Sequence, residues 1–145
     1  IDAAIAPQSM PLDVLVLDPD DTTREQLCQQ IEGLGLCPYP ARHAAQALWL
    51  LESQAFCAAF VDVVLDGSDA GQGVEVCRRV KAGAMNPPNR PPALIILARA
   101  ASPVHRVRAA LIGDDAFVLK PLELAATAGL LDSFGIALPA PTSRT

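Results

Sequence analysis

Three apolar runs in this chain end in a charge. VLVLD (14–18) and AAFVD (58–62) close on aspartate, and AFVLK (116–120) closes on lysine. A short apolar run of this kind reads as a buried strand, and its last residue stands at the strand's carboxyl end. Two carboxylates brought together there repel each other unless a cation neutralises them, and an oxygen-rich site of this sort suits Mg²⁺. Magnesium needs few protein ligands and keeps its waters, which leaves room for a phosphoryl group. A lysine facing the same spot pairs with phosphoryl oxygens. The chemistry implied is a small ionic site built from Asp18, Asp62 and Lys120.

Those residues meet only if the chain folds their strands side by side. DVLVLD (13–18), LCPYP (36–40), AAFVD (58–62), ALIILA (93–98) and AFVLK (116–120) read as strands. The second, broken by prolines, suits only a sheet edge. Between them run helical patterns at 21–35, with Leu27, Ile31 and Leu34 at helical spacing, and at 41–56, 73–83, 102–113 and 121–134. Ser102 followed by Pro103 is an N-cap and a first-turn proline, Gly113 is a stop, and Pro121 is expected in the first turn of the last helix. Strand and helix alternate five times, which predicts a doubly wound parallel sheet covered on both faces. Binding sites of such sheets lie beyond the carboxyl ends of the strands, where strand order reverses. That rule selects Asp18, Asp62, Ala98 and Lys120.

Composition narrows the function classes. At 145 residues the length fits one domain, and no apolar run approaches the roughly 20 residues of a membrane span. The opening IDAAIAPQSMPL lacks the basic and apolar regions of a signal peptide. A net charge of −5 argues against a general nucleic-acid or membrane surface. Cys28, Cys37, Cys57 and Cys77 form no CxxC pair and read as thiols of a reducing cytoplasm rather than zinc ligands. His43 and Trp49 read as surface and packing residues, and His105, Arg106 and Arg108, with Arg99 nearby, as a solvated basic helix face with partner docking as the alternative.

With these residues in place the chain resembles the receiver domain of two-component response regulators over roughly 12–134. FVLKPL (117–122) after GDDAF is similar to that family's aromatic-x-x-Lys-Pro signature, and FVDVVLDG (60–67) to its aspartate-ending central strand. The resemblance implies a flavodoxin-like sheet of order 2-1-3-4-5, with residues 1–11 a tail or linker and 135–145 a disordered tail. It implies that Asp62 is the phosphoacceptor, served by a histidine kinase or histidine phosphotransfer protein in a phosphorelay. Asp18, Asp62 and the Val64 carbonyl would hold Mg²⁺, Lys120 would pair with the phosphoryl group, the Lys120–Pro121 peptide would be cis, and Phe117 would be the switch aromatic. The effector is not readable, and the domain is not expected to be an enzyme, because the phosphoryl group ends on itself.

Three features depart from the family pattern. Pro19 takes the place of its second acid, so the metal shell is weakened unless Asp20 bends inward; the alternative is that Asp20 caps the helix from Asp21. Ala98 stands where receivers carry the Ser or Thr that bonds the phosphoryl group, and a methyl cannot donate that bond. The loop from Asp62 to Gly73 reads as longer than usual and carries Asp66 and Asp69. A receiver fold that docks partners without phosphorylation is therefore the first rival. The second is a haloacid-dehalogenase-like phosphatase using Asp18, since VLVLDPDDT also fits hhhhDxDxT.

Overall fold

The computed structural model describes residues 11–62, 70–100, 102–136 and 138. Ten elements alternate along it: β1 (Asp13–Leu17), α1 (Asp21–Gly33), β2 (Cys37–Ala41), α2 (Ala44–Ser53), β3 (Ala58–Val61), α3 (Ala70–Ala82), β4 (Ala93–Ala98), α4 (Pro103–Ile112), β5 (Ala116–Leu119) and α5 (Leu124–Ser133). The five strands form one parallel sheet in the order β2-β1-β3-β4-β5. This is the expected doubly wound topology.

Period-two alternation sorts the core into two layers. Val14, Val16, Ala58, Phe60, Ile95 and Leu97 pack with Leu27 and Ile31 of α1 and Leu131 of α5. Leu15, Leu17, Ala59, Val61, Leu94 and Ile96 pack with Ala47 and Leu51 of α2, with Val76, Cys77 and Val80 of α3, and with Ala109 of α4. Strands buried on both faces explain why the sequence reads as continuous apolar runs rather than as alternation.

The two prolines of CPYPA fit because β2 is an edge. The Cys37 N–H donates to Leu12 O, and Ala41 O accepts from Asp18 N–H. The ladder therefore uses residues 37, 39 and 41, and Pro38 and Pro40 fall at the outward positions, where no β1 partner needs an N–H.

The helix boundaries differ from the sequence reading in instructive ways. α3 begins at Ala70, before the predicted start at Gly73, so Gly71 and Gly73 lie inside a helix that the pattern opens only at Gly73. Pro121 is not in the first turn of α5, which begins three residues later at Leu124; it follows the cis Lys120–Pro121 peptide instead. Gly113, with φ of 99°, closes α4 in the left-handed conformation as predicted. The core also continues past the expected boundary at Phe134: Gly135 adopts φ of 76° and Ile136 turns back to donate to Leu131 O, buried beside α1 and α5. The tail and linker predicted for 1–11 and 135–145 otherwise fall almost wholly outside the described residues. No described helix is long and apolar enough to cross a membrane.

Candidate functional site

Alternation carries three charges to one face. In β1 the series Val14, Val16 continues to Asp18; in β3 Ala58, Phe60 continues to Asp62; in β5 Ala116, Val118 continues to Lys120. Each lies one residue past its strand, on the side covered by α1 and α5. The backbone fixes them there: Asp62 N–H donates to Leu17 O at 2.8 Å, and Lys120 N–H to Ala98 O at 2.8 Å. Lys120 Nζ then crosses over β4 to donate to Asp18 Oδ2 at 3.1 Å and to Asp62 Oδ2. The structure thus brings together the two carboxylates and the ammonium singled out by the sequence.

Their exposures separate their capacities. The Asp18 side chain is 0 % exposed and that of Lys120 6 %, whereas Asp62 keeps 18 %. Asp18 is also committed on both oxygens, because its Oδ1 accepts from Asp20 N–H at 2.9 Å. Asp62 is the carboxylate that an incoming group can reach. Burial pushes the Asp62 carboxyl above the ordinary range, against the opposing pull of Lys120's hydrogen bond and charge. For Lys120, burial pulls the pKa down, but the hydrogen bonds and charges of Asp62 and Asp18 outweigh it, and the ammonium is held above its ordinary value. It stays charged at neutral pH.

The β1–α1 turn explains Pro19. Asp18 Oδ1 bonded to the N–H two residues on is an Asx turn, and Pro19 occupies its middle with a preset φ and no N–H to satisfy. Asp20 then caps α1: its Oδ2 accepts from Thr23 N–H at 2.8 Å and from Thr23 Oγ1 at 2.6 Å. Those bonds to Thr23, with help from Lys120 and Arg99, hold the Asp20 carboxyl below its usual range. Of the two roles open to Asp20 in the sequence, the cap is the one this turn forms.

Two supporting residues were not legible as such. Arg24, with a side chain only 7 % exposed, donates from Nη1 to Asp18 O at 2.8 Å and from Nη2 to Asp21 Oδ1 at 2.5 Å. It locks the turn that presents Asp18. Its signal was an arginine at helical spacing with Leu27 and Ile31, on the buried stripe of α1. Gln30 links α1 to the segment after Lys120: Nε2 donates to Leu122 O at 2.7 Å, and Oε1 accepts from the buried Thr127 hydroxyl at 2.7 Å. That network joins residues 92 and 97 positions apart, so no local pattern marks it.

The remaining predicted positions divide. Ala98 ends β4 beside Leu119, and Phe117 packs half-buried against the layer under α2–α4 with the Arg106 guanidinium 4.8 Å from its ring centroid. Arg106 is thus a stacked residue rather than a purely solvated one. His43 accepts weakly from Gln46 N–H as the N-cap of α2, and Trp49 is 66 % exposed rather than packed. Val64, Asp66 and Asp69 lie outside the described residues.

A divalent cation would find two carboxylates here. Among the described residues no group of three or more His, Cys, Asp or Glu side chains is placed to hold a metal. Asp18 and Asp62 are nevertheless hard oxygen donors joined through one ammonium, and a cation that retains waters can share two carboxylates. Asp18 and Asp62 are the carboxylates that would hold Mg²⁺, and Asp20's carboxylate is engaged at the helix cap.

The fold is that of receiver domains. A receiver domain of a signal transduction histidine kinase from Syntrophus aciditrophicus superposes with a TM-score of 0.68 at 23% identity, over 92% of this chain and 96% of that one. The receiver domain of the sensor histidine kinase PA1611 from Pseudomonas aeruginosa, with a magnesium ion coordinated in its active-site cleft, gives 0.70 at 19% identity, over 86% and 97%. The chemotaxis protein CheY4 of Vibrio cholerae gives 0.71 at 17% identity, over 87% and 99%. No protein-family model matches the chain, and no curated protein sequence matches it.

Proposed function

We propose that the protein is a phosphoacceptor module of a phosphorelay, in which Asp62 takes a phosphoryl group from a histidine kinase or histidine phosphotransfer protein. One observation carries this reading: a buried lysine joins two strand-end aspartates, and only Asp62 of the two is open to an incoming group. An Asp62 oxygen attacks phosphorus in line as the donor's bond to phosphorus breaks and its electron pair leaves with the donor. Lys120 is shared with both carboxylates beforehand and is charged, so it meets the phosphoryl oxygens without having to be recruited. Asp18, fixed by the Asp20 N–H and through Arg24, orients Lys120 from behind. Asp18 and Asp62 would hold Mg²⁺, which supplies charge neutralisation for the transferring group.

The phosphoryl group ends on Asp62, so the chain works as a signalling domain rather than as a turnover enzyme, in the cytoplasm where kinase and nucleotide meet. A haloacid-dehalogenase-like reaction would need Asp18 as nucleophile, and full burial with both oxygens bonded disfavours it. A second reading, docking without phosphorylation, is favoured by Ala98 and by the Arg106 stack on Phe117, which together leave the ring no hydroxyl-linked cue. Intact-protein mass after incubation with acetyl phosphate and Mg²⁺ tests the choice. One phosphoryl adduct, absent in Asp62→Asn, is expected. No adduct across a magnesium titration moves the assignment to the docking module, and an adduct kept in Asp62→Asn but lost in Asp18→Asn revives the phosphatase.

A further inference from the structure

A phosphoryl group on Asp62 presents three acceptor oxygens, while Lys120 is already divided between Asp62 and Asp18. Ala98 adds only a methyl. The residue that follows it is an arginine. Along β4, Ile95 and Leu97 face α1 and α5 together with Phe60 and Val118, so alternation carries position 99 to the face on which Asp18, Asp62 and Lys120 leave their strands. Register sets the level: Ala98 pairs with Leu119, which puts Arg99 beside Lys120, and Val61 pairs with Ile96, which puts Arg99 just beyond the end of Asp62's strand. Arg99 is exposed and makes no hydrogen bond or ion pair with another described residue. Its charge is felt at both carboxyls: it helps hold Asp20 low and at Asp62 opposes the larger upward effect of burial.

We propose that Arg99 is the second cationic ligand of the phosphoryl group, its guanidinium closing over the oxygens that Lys120 does not reach. The inference rests on the reading of Asp62 as phosphoacceptor and assigns a specificity residue to that site. A planar fork of N–H donors suits an oxyanion better than a point charge does, and it replaces a neutral hydroxyl contact with a charge-assisted one. The donor class follows: phosphoryl donors whose oxygens are dianionic and solvent-accessible as they approach. With acetyl phosphate, an Asp62 oxygen forms the new P–O bond as the donor's P–O bond breaks, and acetate departs as the anion with the electron pair, so no proton moves.

The test is the rate of adduct formation on this chain at subsaturating acetyl phosphate, by intact mass, for wild type, Arg99→Ala, Arg99→Lys and the remote control Arg78→Ala. Loss of a charge-assisted contact slows Arg99→Ala about tenfold or more. Arg99→Lys is expected to fall between Arg99→Ala and wild type, Arg78→Ala to match wild type, and thermal unfolding to be unchanged throughout because Arg99 is exposed. An Arg99→Ala rate equal to wild type overturns the role of Arg99 and leaves the phosphoacceptor intact. A tenfold loss accompanied by an equal loss in Arg78→Ala also overturns it, since general electrostatic attraction then suffices. Absence of any adduct on wild type removes the phosphoacceptor and the role of Arg99 together.

Discussion

Removing Lys120 should leave the folded state holding two carboxylates with nothing between them. Lys120→Met keeps the side-chain volume and loses the ammonium beside carboxylates that are 0 % (Asp18) and 18 % (Asp62) exposed in the native structure. Deleting one partner of a buried ion pair typically costs about 3–5 kcal/mol. The cost has a ceiling, because the folded protein can bind a proton instead. Neutralising one ordinary carboxyl, with a pKa of about 4, costs about 4 kcal/mol at pH 7, at about 1.4 kcal/mol for each pH unit. The penalty should therefore be about 3–4 kcal/mol at pH 7 and shrink towards about 1–2 kcal/mol at pH 5. With an m-value of about 2 kcal/mol/M, the urea midpoint at pH 7 falls by about 2 M. Circular dichroism is the suitable probe, since Trp49 is 66 % exposed and reports poorly on unfolding. A penalty below about 1 kcal/mol at pH 7, or one of equal size at both pH values, would refute the reasoning, because it would mean that Lys120 behaves as a solvated surface ion pair.

Three further outcomes can be checked. The folded-state pKa of Asp62 is raised, so the folded protein binds that proton more tightly than the unfolded chain and the ionised carboxylate is a cost at neutral pH; Asp62→Asn should raise the urea midpoint at pH 7, with the gain vanishing as pH falls through the folded pKa. Asp20→Ser keeps a capping oxygen and discards the carboxylate, so stability should change by less than about 0.5 kcal/mol and Mg²⁺ affinity by calorimetry should be unaltered; a clear loss of affinity would make Asp20 a metal ligand rather than a cap. Arg106→Ala removes the guanidinium stacked 4.8 Å from the Phe117 ring centroid and should cost about 0.5–1 kcal/mol in chemical denaturation, with no change in the rate of adduct formation on Asp62.

What could be read from the sequence was the charge that closes each continuous apolar run. Asp18, Asp62 and Lys120 were visible because each ends such a run and so stands at a strand's carboxyl end, and the structure's alternation then sets all three on one face. The role of Asp20 stayed open because one turn, set by Pro19 and the bond from Asp20 N–H to Asp18 Oδ1, decides between cap and site. Pro121 was misplaced for a related reason: a first-turn proline is common, but here the residue sits in the connection that precedes α5. Gln30 and Thr127 could not be paired in advance, since the bond between them exists only once α1 and α5 lie together on the sheet.

The prolines of β2 bear on how copies of this molecule can meet. Growth of a sheet from chain to chain requires a live edge at each end, one to receive a strand and one to offer the next. With Pro38 and Pro40 at the outward positions of β2, that edge has no N–H to give at either site, and the order β2-β1-β3-β4-β5 leaves β5 as the other border. Strand addition can then join at most a pair, β5 to β5, and no fibre can propagate. Crowding at high expression should accordingly produce dimers before it produces filaments.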